Sequence, residues 1–344
     1  FVTFFFNSWH GIWKVKTLTL KLIMKNYFKI LPILFLSLLV ISCDSDNQND
    51  GLCCAGTITD IASQQESLTT LVSALQATGL DSALTGDGYY TVLAPTNDAF
   101  EAFLASINAT SLDDIPVDLL TNVLLNHVIM GNLESSSLNN GYANTQAVSD
   151  ASNTNMSIYI NTDNGVNFNG VSNVITADVV ATNGVIHVVD SVIGLPTVVT
   201  FALADPNFEI LVQALTRDDL TMDFVGLLNS STSPPTPFTV FPPVNNAFVN
   251  LLDELGLSGL NDIDEPTLSA VLSNHVVVGL NQGSATFSGG LEFTTAQGGS
   301  LLFNFNDNGA GILTDDNGRT SNIIAVDIQA NNGIIHAIDT VVLP

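Results

Sequence analysis

Two histidine–aspartate pairs carry the residue types most able to do chemistry. "NGVIHVVDSVIGLP" (183–196) holds His187 and Asp190, and "NGIIHAIDTVVLP" (332–344) holds His336 and Asp339. An imidazole beside a carboxylate is the core of a general-base dyad. The spacing argues against it, because residues three apart on a strand point to opposite sides of the sheet and cannot share a catalytic face without a bulge. The expected role of both pairs is structural, with each His bonding a backbone group and each Asp capping the turn that follows. Two further histidines, His127 and His275, follow Asn126 and Asn274 at the ends of apolar helical stretches. Their alternatives are a buried, hydrogen-bonded histidine, a surface contact in which Asn126, His127, Asn274 and His275 meet a ligand, or metal ligation. No second His or Cys stands at ligand spacing, so no metal site is assigned. "NFNDNG" (304–309) partly mimics a calcium loop, but Asn is its first residue and its twelfth position is Asp315 in place of a bidentate Glu. A hairpin turn explains the same residues, leaving weak calcium binding by an acidic surface as the residual expectation. Neither G-x-S-x-G nor H-E-x-x-H occurs. Carboxylates are plentiful enough that a glycosidase pair stays open, although nothing marks one pair out.

The elements that must position these residues occur twice. "LTTLVSAL" (68–75) matches "FEILVQAL" (208–215), both with apolar residues at helical spacing. "TVLAPTNDAF" (91–100) matches "TVFPPVNNAF" (239–248), "LLNHVIMG" (124–131) matches "LSNHVVVG" (272–279), and the two closing phrases match in turn. Four blocks in one order at nearly constant offset define two copies of one module of about 140 residues, joined near Thr197. The period far exceeds that of a solenoid, so each copy is expected to have its own core. "SSTSPPTP" (230–237) reads as a loop enlarged in the second copy. Within a copy, helices come first, with Thr96 or Asn97 capping one of them. A helix over 115–125 turns β-branched, and short strands with Asn-Gly and Asp-Asn-Gly hairpins follow. Segregated helices and antiparallel strands predict an α+β fold.

Charge excludes several functions. From Cys43 onward there are 33 acidic residues against two bases, Arg217 and Arg319, and no lysine. Such a surface repels nucleic acid and lacks the lysine of a P-loop or a Schiff-base enzyme. It also disfavours docking on anionic headgroups. It suits solubility and a weak attraction for divalent cations.

The first 56 residues read as an address. Residues 1–23 lack an initiator Met and are expected to be a spurious extension. Residues 24–42 form a signal peptide with Lys25 and Lys29 before an apolar run, Ile30 to Val40, too short for a comfortable span. It ends in "LVISC", which resembles a bacterial lipobox and implies diacylation of Cys43. Residues 43–56 read as a flexible tether, and its acidic start resembles a signal for display on the outer face of the outer membrane. Cys53 and Cys54 are adjacent, so a bridge between them is strained. No cysteine lies beyond them, which leaves neither module a thiolate site.

"YTVLAPTNDAF", "LLNHV" and "NGVIHVVDSVIGLP", with their second-copy counterparts, resemble the signature motifs of the fasciclin domain. The resemblance covers about residues 57–344, placing one domain at 57–197 and the next at 198–344. It implies a wedge-shaped sandwich of antiparallel strands with helices at one side, no catalysis or cofactor, and extracellular adhesion to protein or polysaccharide. The family's middle motif often reads Tyr-His, a pair associated with receptor binding in animal members. Asn126 and Asn274 replace that Tyr, so the receptor contact does not carry over. The expectation is a lipid-anchored, surface-exposed adhesion protein that does not bind nucleic acid. A carbohydrate-capturing lipoprotein and a hydrolase are the alternatives.

Overall fold

The computed structural model describes residues 56–84, 88–231 and 235–344. The segments read as signal peptide and, up to residue 55, as tether, with Cys43, Cys53 and Cys54, lie outside the described residues. The first module contains helices α1 (Ile58–Ser63), α2 (Thr69–Thr78) and α3 (Leu80–Ala83), strand β1 (Tyr90–Pro95), and helices α4 (Asn97–Ser106) and α5 (Val117–Leu125). Strands β2 (Val128–Met130), β3 (Gly141–Val148), β4 (Asn155–Asn161), β5 (Asn167–Phe168), β6 (Ser172–Ala181) and β7 (Gly184–Val189) complete it. The second module repeats the order with α6 (Val198–Ala204), α7 (Glu209–Leu215), α8 (Phe224–Asn229), β8 (Phe238–Val240), α9 (Asn245–Leu255) and α10 (Glu265–Asn274). Its remaining strands are β9 (Val276–Val278), β10 (Leu291–Thr294), β11 (Ser300–Phe305), β12 (Gly311–Thr314), β13 (Thr320–Gln329) and β14 (Gly333–Ile338).

Local chemistry sets the helix limits. The Thr96 hydroxyl accepts the Ala99 N–H at the start of α4, and Asp264 caps α10 through Thr267. Gly79 ends α2 and Gly256 ends α9, both in the left-handed region that costs glycine nothing. The fold is α+β, with one departure from the sequence expectation: "TVLAP" is a strand set among the helices. It pairs parallel to the closing strand, β1 with β7 and β8 with β14, while the other strand pairs are antiparallel.

In module 1 this parallel pair closes β1 to β7 into a barrel, the form that the expected wedge of strands takes here. In module 2 the seven strands run in the same order, but β9 and β10 do not form a ladder. A bond from the Ala296 N–H to the Val276 carbonyl, 2.7 Å, spans that gap. Strand β10 has four residues where β3 has eight, which leaves too little backbone to close the ring.

Strand β7 is buried along its whole length because both its faces are covered. Ile186 and Val188 join Leu71, Leu75, Phe100 and Leu124 under the helices. Val189 joins Leu93, Ile158 and Phe168 inside the barrel. The alternation required by a strand is thus intact, with an apolar cluster on each side. Module 2 repeats the two clusters around Phe248 and Leu272 and around Phe293 and Phe303.

Beyond these separate cores, a further cluster joins Tyr159 of module 1 to Phe201, Phe238, Ile328 and Ile335 of module 2. Hydrogen bonds surround it. Ser149 Oγ donates to the Ala330 carbonyl at 2.7 Å, and the Gln329 N–H donates to Ser157 Oγ at 3.0 Å. Asp150 and Asn331 exchange two bonds, and Asn331 N–H donates to the Pro196 carbonyl at 2.7 Å. The buried Gln329 amide also contacts Ser149 Oγ and Asn281. Gln329→Leu strands these buried partners and is expected to cost about 2 kcal/mol of coupling between the modules. Calorimetry should then resolve two transitions where the unsubstituted chain gives one; a single unshifted transition would refute the coupling.

Candidate functional site

The four histidines among the described residues form two pairs of internal clamps. His127 and His275 sit where α5 and α10 end. The His127 Nδ1–H donates to the Val123 carbonyl at 2.8 Å, and Nε2 accepts the Ile193 N–H at 2.9 Å. His275 repeats this with the Val271 carbonyl at 2.7 Å and the Val342 N–H at 3.2 Å. Each ring uses one nitrogen as donor and the other as acceptor, so it must be neutral. Burial holds both pKa values down to about 4.

Asn126 works alongside. Its amide donates to the Gly194 carbonyl at 2.9 Å, and its oxygen accepts the Thr145 hydroxyl at 3.2 Å. Asn274 accepts the Thr295 hydroxyl in the same manner at 3.0 Å. The middle motif therefore holds the segment that follows the closing strand. This corrects the surface-contact expectation: Asn126, His127, Asn274 and His275 are 0, 2, 1 and 3% exposed, with their polar atoms turned inward. No partner reaches them in this conformation.

His187 and His336 are 0% exposed and use the opposite tautomer. Their Nε2–H groups donate to the Leu133 and Gln282 carbonyls at 2.8 and 2.9 Å. Their Nδ1 atoms accept the N–H of Asp178 and Asp327 at 3.3 and 3.2 Å. Both aspartates occupy the left-handed region, with φ of 59° and 60°, at register shifts in β6 and β13. Their carboxylates accept the N–H and hydroxyl of Ser135 and Ser284, and the Ser135 bonds hold the Asp178 pKa below the usual carboxylate range. A bulge is thus present, but it brings Asp178 to His187, 4.0 Å from ring nitrogen to carboxylate, and leaves Asp190 elsewhere.

Asp190 and Asp339 follow the last residues of β7 and β14. Each accepts the backbone N–H and the side-chain amide of an asparagine on the neighbouring strand, Asn173 or Asn322, at 2.7–2.8 Å. The expected turn cap is therefore largely a cross-strand staple. Burial pushes these carboxyls up, and the asparagine bonds together outweigh it, so both pKa values fall below the ordinary value.

Sequence reasoning missed Asp178, Asp327, Ser135 and Ser284. The signal was there, since each aspartate lies nine residues before a repeated histidine. In "NFNDNG" the Asn306 oxygen accepts the N–H of Asn308 and Ala310, closing the hairpin between β11 and β12. Among the described residues no group of three or more His, Cys, Asp or Glu is placed to hold a metal ion. No single described helix is long and apolar enough to cross a membrane.

Two α+β modules of identical strand order, each pinned by a pair of buried histidines, define a duplicated scaffold in which the motif residues serve the fold. The fasciclin domain model matches residues 66–196 and 206–344. The chain belongs to the fasciclin domain family. It is 37% identical over 139 residues to protein sll1483 of Synechocystis, covering 40% of this chain and 73% of that protein. It is 28% identical over 277 residues to human periostin, covering 78% and 30%. It is 27% identical over 263 residues to the pig transforming growth factor-beta-induced protein ig-h3, covering 75% and 35%. The chain thus spans about a third of the length of these two animal proteins. A solved FAS1 domain pair from the insect cell adhesion molecule Fasciclin I superposes with a TM-score of 0.48 at 21% identity, covering 80% of this chain and 97% of that one.

Proposed function

We propose that this chain is a non-enzymatic adhesion or matrix-interaction protein of the cell envelope, presenting two coupled fasciclin modules to extracellular protein or polysaccharide. The observation that carries the reading is the inward use of the histidines and their partners. With those groups engaged in the scaffold, what each module offers outward is an acidic, lysine-free surface. Membership of the fasciclin domain family, whose domains are associated with cell adhesion and extracellular-matrix interaction, supports the same class by analogy. A diacyl anchor at Cys43 fits the "LVISC" sequence and would hold the modules at the outer membrane, facing out. Weak calcium bridging fits the surplus of carboxylates.

The test has two arms. Pull-downs from envelope and culture matrix, with calcium present and then chelated, are expected to recover a matrix protein or polysaccharide. Deletion of the gene is expected to reduce cell aggregation. Cells that aggregate as before, with nothing recovered, would overturn the reading. The anchor is tested separately: Cys43→Ser should abolish incorporation of labelled fatty acid and release the protein from the membrane fraction.

A further inference from the structure

Where module 1 meets the start of module 2 there is a cleft of about 460 Å3, within the range of small-molecule sites. Tyr142 and Tyr159 of module 1 form one wall, and Asp205, Asn207 and Asn246 of module 2 line the other. The cleft therefore exists only in the joined pair. Asp205 is 5% exposed. Its carboxylate accepts the Tyr142 hydroxyl at 3.0 Å and the Asn207 N–H and side-chain amide at 2.9 Å each. None of the cleft's lining residues is Lys, Arg or His, and among the described residues no base pairs with Asp205. Tyr142 is held by Phe201, edge-on with ring centres 5.5 Å apart, and by Tyr159 at 5.0 Å. Its ring is thus positioned before any ligand arrives. Asn246 is exposed at the start of α9, and its side-chain amide makes no hydrogen bond to the described residues. Val244 precedes α9 without a side-chain cap, whereas the matching Thr96 caps α4.

These groups select by chemistry. A buried carboxylate without a basic neighbour repels phosphate, sulfate and uronate. The carboxylate already accepts three hydrogen bonds, and the uncapped positive end of α9 further weakens its pull on a cation. What remains is an uncharged ligand able both to donate, to Asp205, and to accept, from Asn246, while laying an apolar face on a tyrosine ring. We infer that this inter-module cleft binds a neutral saccharide. The inference goes beyond the adhesion reading: a protein that adheres only through protein partners would pass the pull-down and fail here.

The experiment uses the full chain on an array of neutral gluco-, manno-, galacto- and xylo-oligosaccharides beside sulfated and uronic ones, followed by calorimetric titration with the best binder. One neutral class should bind. Asn246→Trp, an exposed substitution that fills the mouth of the cleft, should weaken binding at least tenfold with the melting temperature unchanged. Asp205→Asn should weaken it by a similar factor. Absence of neutral binding at millimolar ligand, binding indifferent to Asn246→Trp, or binding confined to charged ligands would each overturn the assignment.

Discussion

Lowering the pH from 7 to 4 is expected to remove up to about 3 kcal/mol of stability for each of His127 and His275. Their folded pKa values, about 4, lie below the ordinary value of 6.5 because burial disfavours the charged ring. Between these limits the unfolded chain binds more protons than the folded one. The contribution of each neutral ring is therefore complete above pH 6.5 and is lost as pH falls through the window to 4. His336 is lowered by burial as well and acts in the same direction. Carboxylates held below their ordinary value of 3.8, such as Asp178 and Asp114, add to the loss in the lowest part of the window, from about pH 5 downward, so the histidine contribution is read above pH 5. Urea midpoints measured from pH 7 to 4 check the slope, and His127→Gln or His275→Gln should each flatten it. At pH 7, His127→Ala is expected to cost about 3–5 kcal/mol, since it opens a cavity and leaves the buried Ile193 N–H without its acceptor. A pH-independent midpoint across the window would contradict the neutral-clamp geometry.

Gly184→Ala is expected to prevent module 1 from closing, at a cost above about 3 kcal/mol. An added Cβ at Gly184 would lie 1.9 Å from the Tyr90 carbonyl oxygen, and the residue has a φ of +152°. Backbone on the opposing strand cannot yield without breaking the parallel pair that closes the barrel. The matching Gly333→Ala meets the Phe238 carbonyl oxygen at 2.5 Å and should be comparably severe for module 2. Gly194→Ala is the control, because nothing lies within 4 Å of the new carbon. Soluble expression and thermal denaturation separate them. A Gly184→Ala protein melting within about 3 °C of the parent would show that the strands can part at little cost.

The close approach of these strands gives the repeated "NG" before each histidine a physical meaning that the sequence alone did not. Gly184 not only follows the turn between β6 and β7 but faces a strand about ninety residues earlier. The same limit recurs elsewhere. The duplication follows from blocks repeated at constant offset, and the helix ending near Leu125, the Asn-Gly hairpins and the opposite facing of His187 and Val188 follow from local pattern. The parallel partner of the closing strand, the bond from His127 to Ile193 and the role of Gln329 depend on residues far apart in the chain, which no local pattern encodes. Asp178 illustrates the middle ground: its recurrence as Asp327 is visible, but its left-handed backbone and its bond to a histidine ring nine residues on are not. Tyr142 and Asp205 become neighbours only after both modules have folded.

The contact between the modules also decides how the molecule answers tension. A pull entering at the N-terminal end of module 1 and leaving at the far end of module 2 crosses the short connection over residues 196–198. There, bonds between residues 149–157 and 329–331 hold the two bodies side by side. Each such bond contributes about 1 kcal/mol, and the apolar cluster around Tyr159 and Phe201 adds to them, still less than a strand ladder with apolar clusters on both faces. Stretching is thus expected to part the two bodies first and to leave the barrel of module 1 and the open sheet of module 2 whole, so that the molecule lengthens under load and re-engages when the strain relaxes.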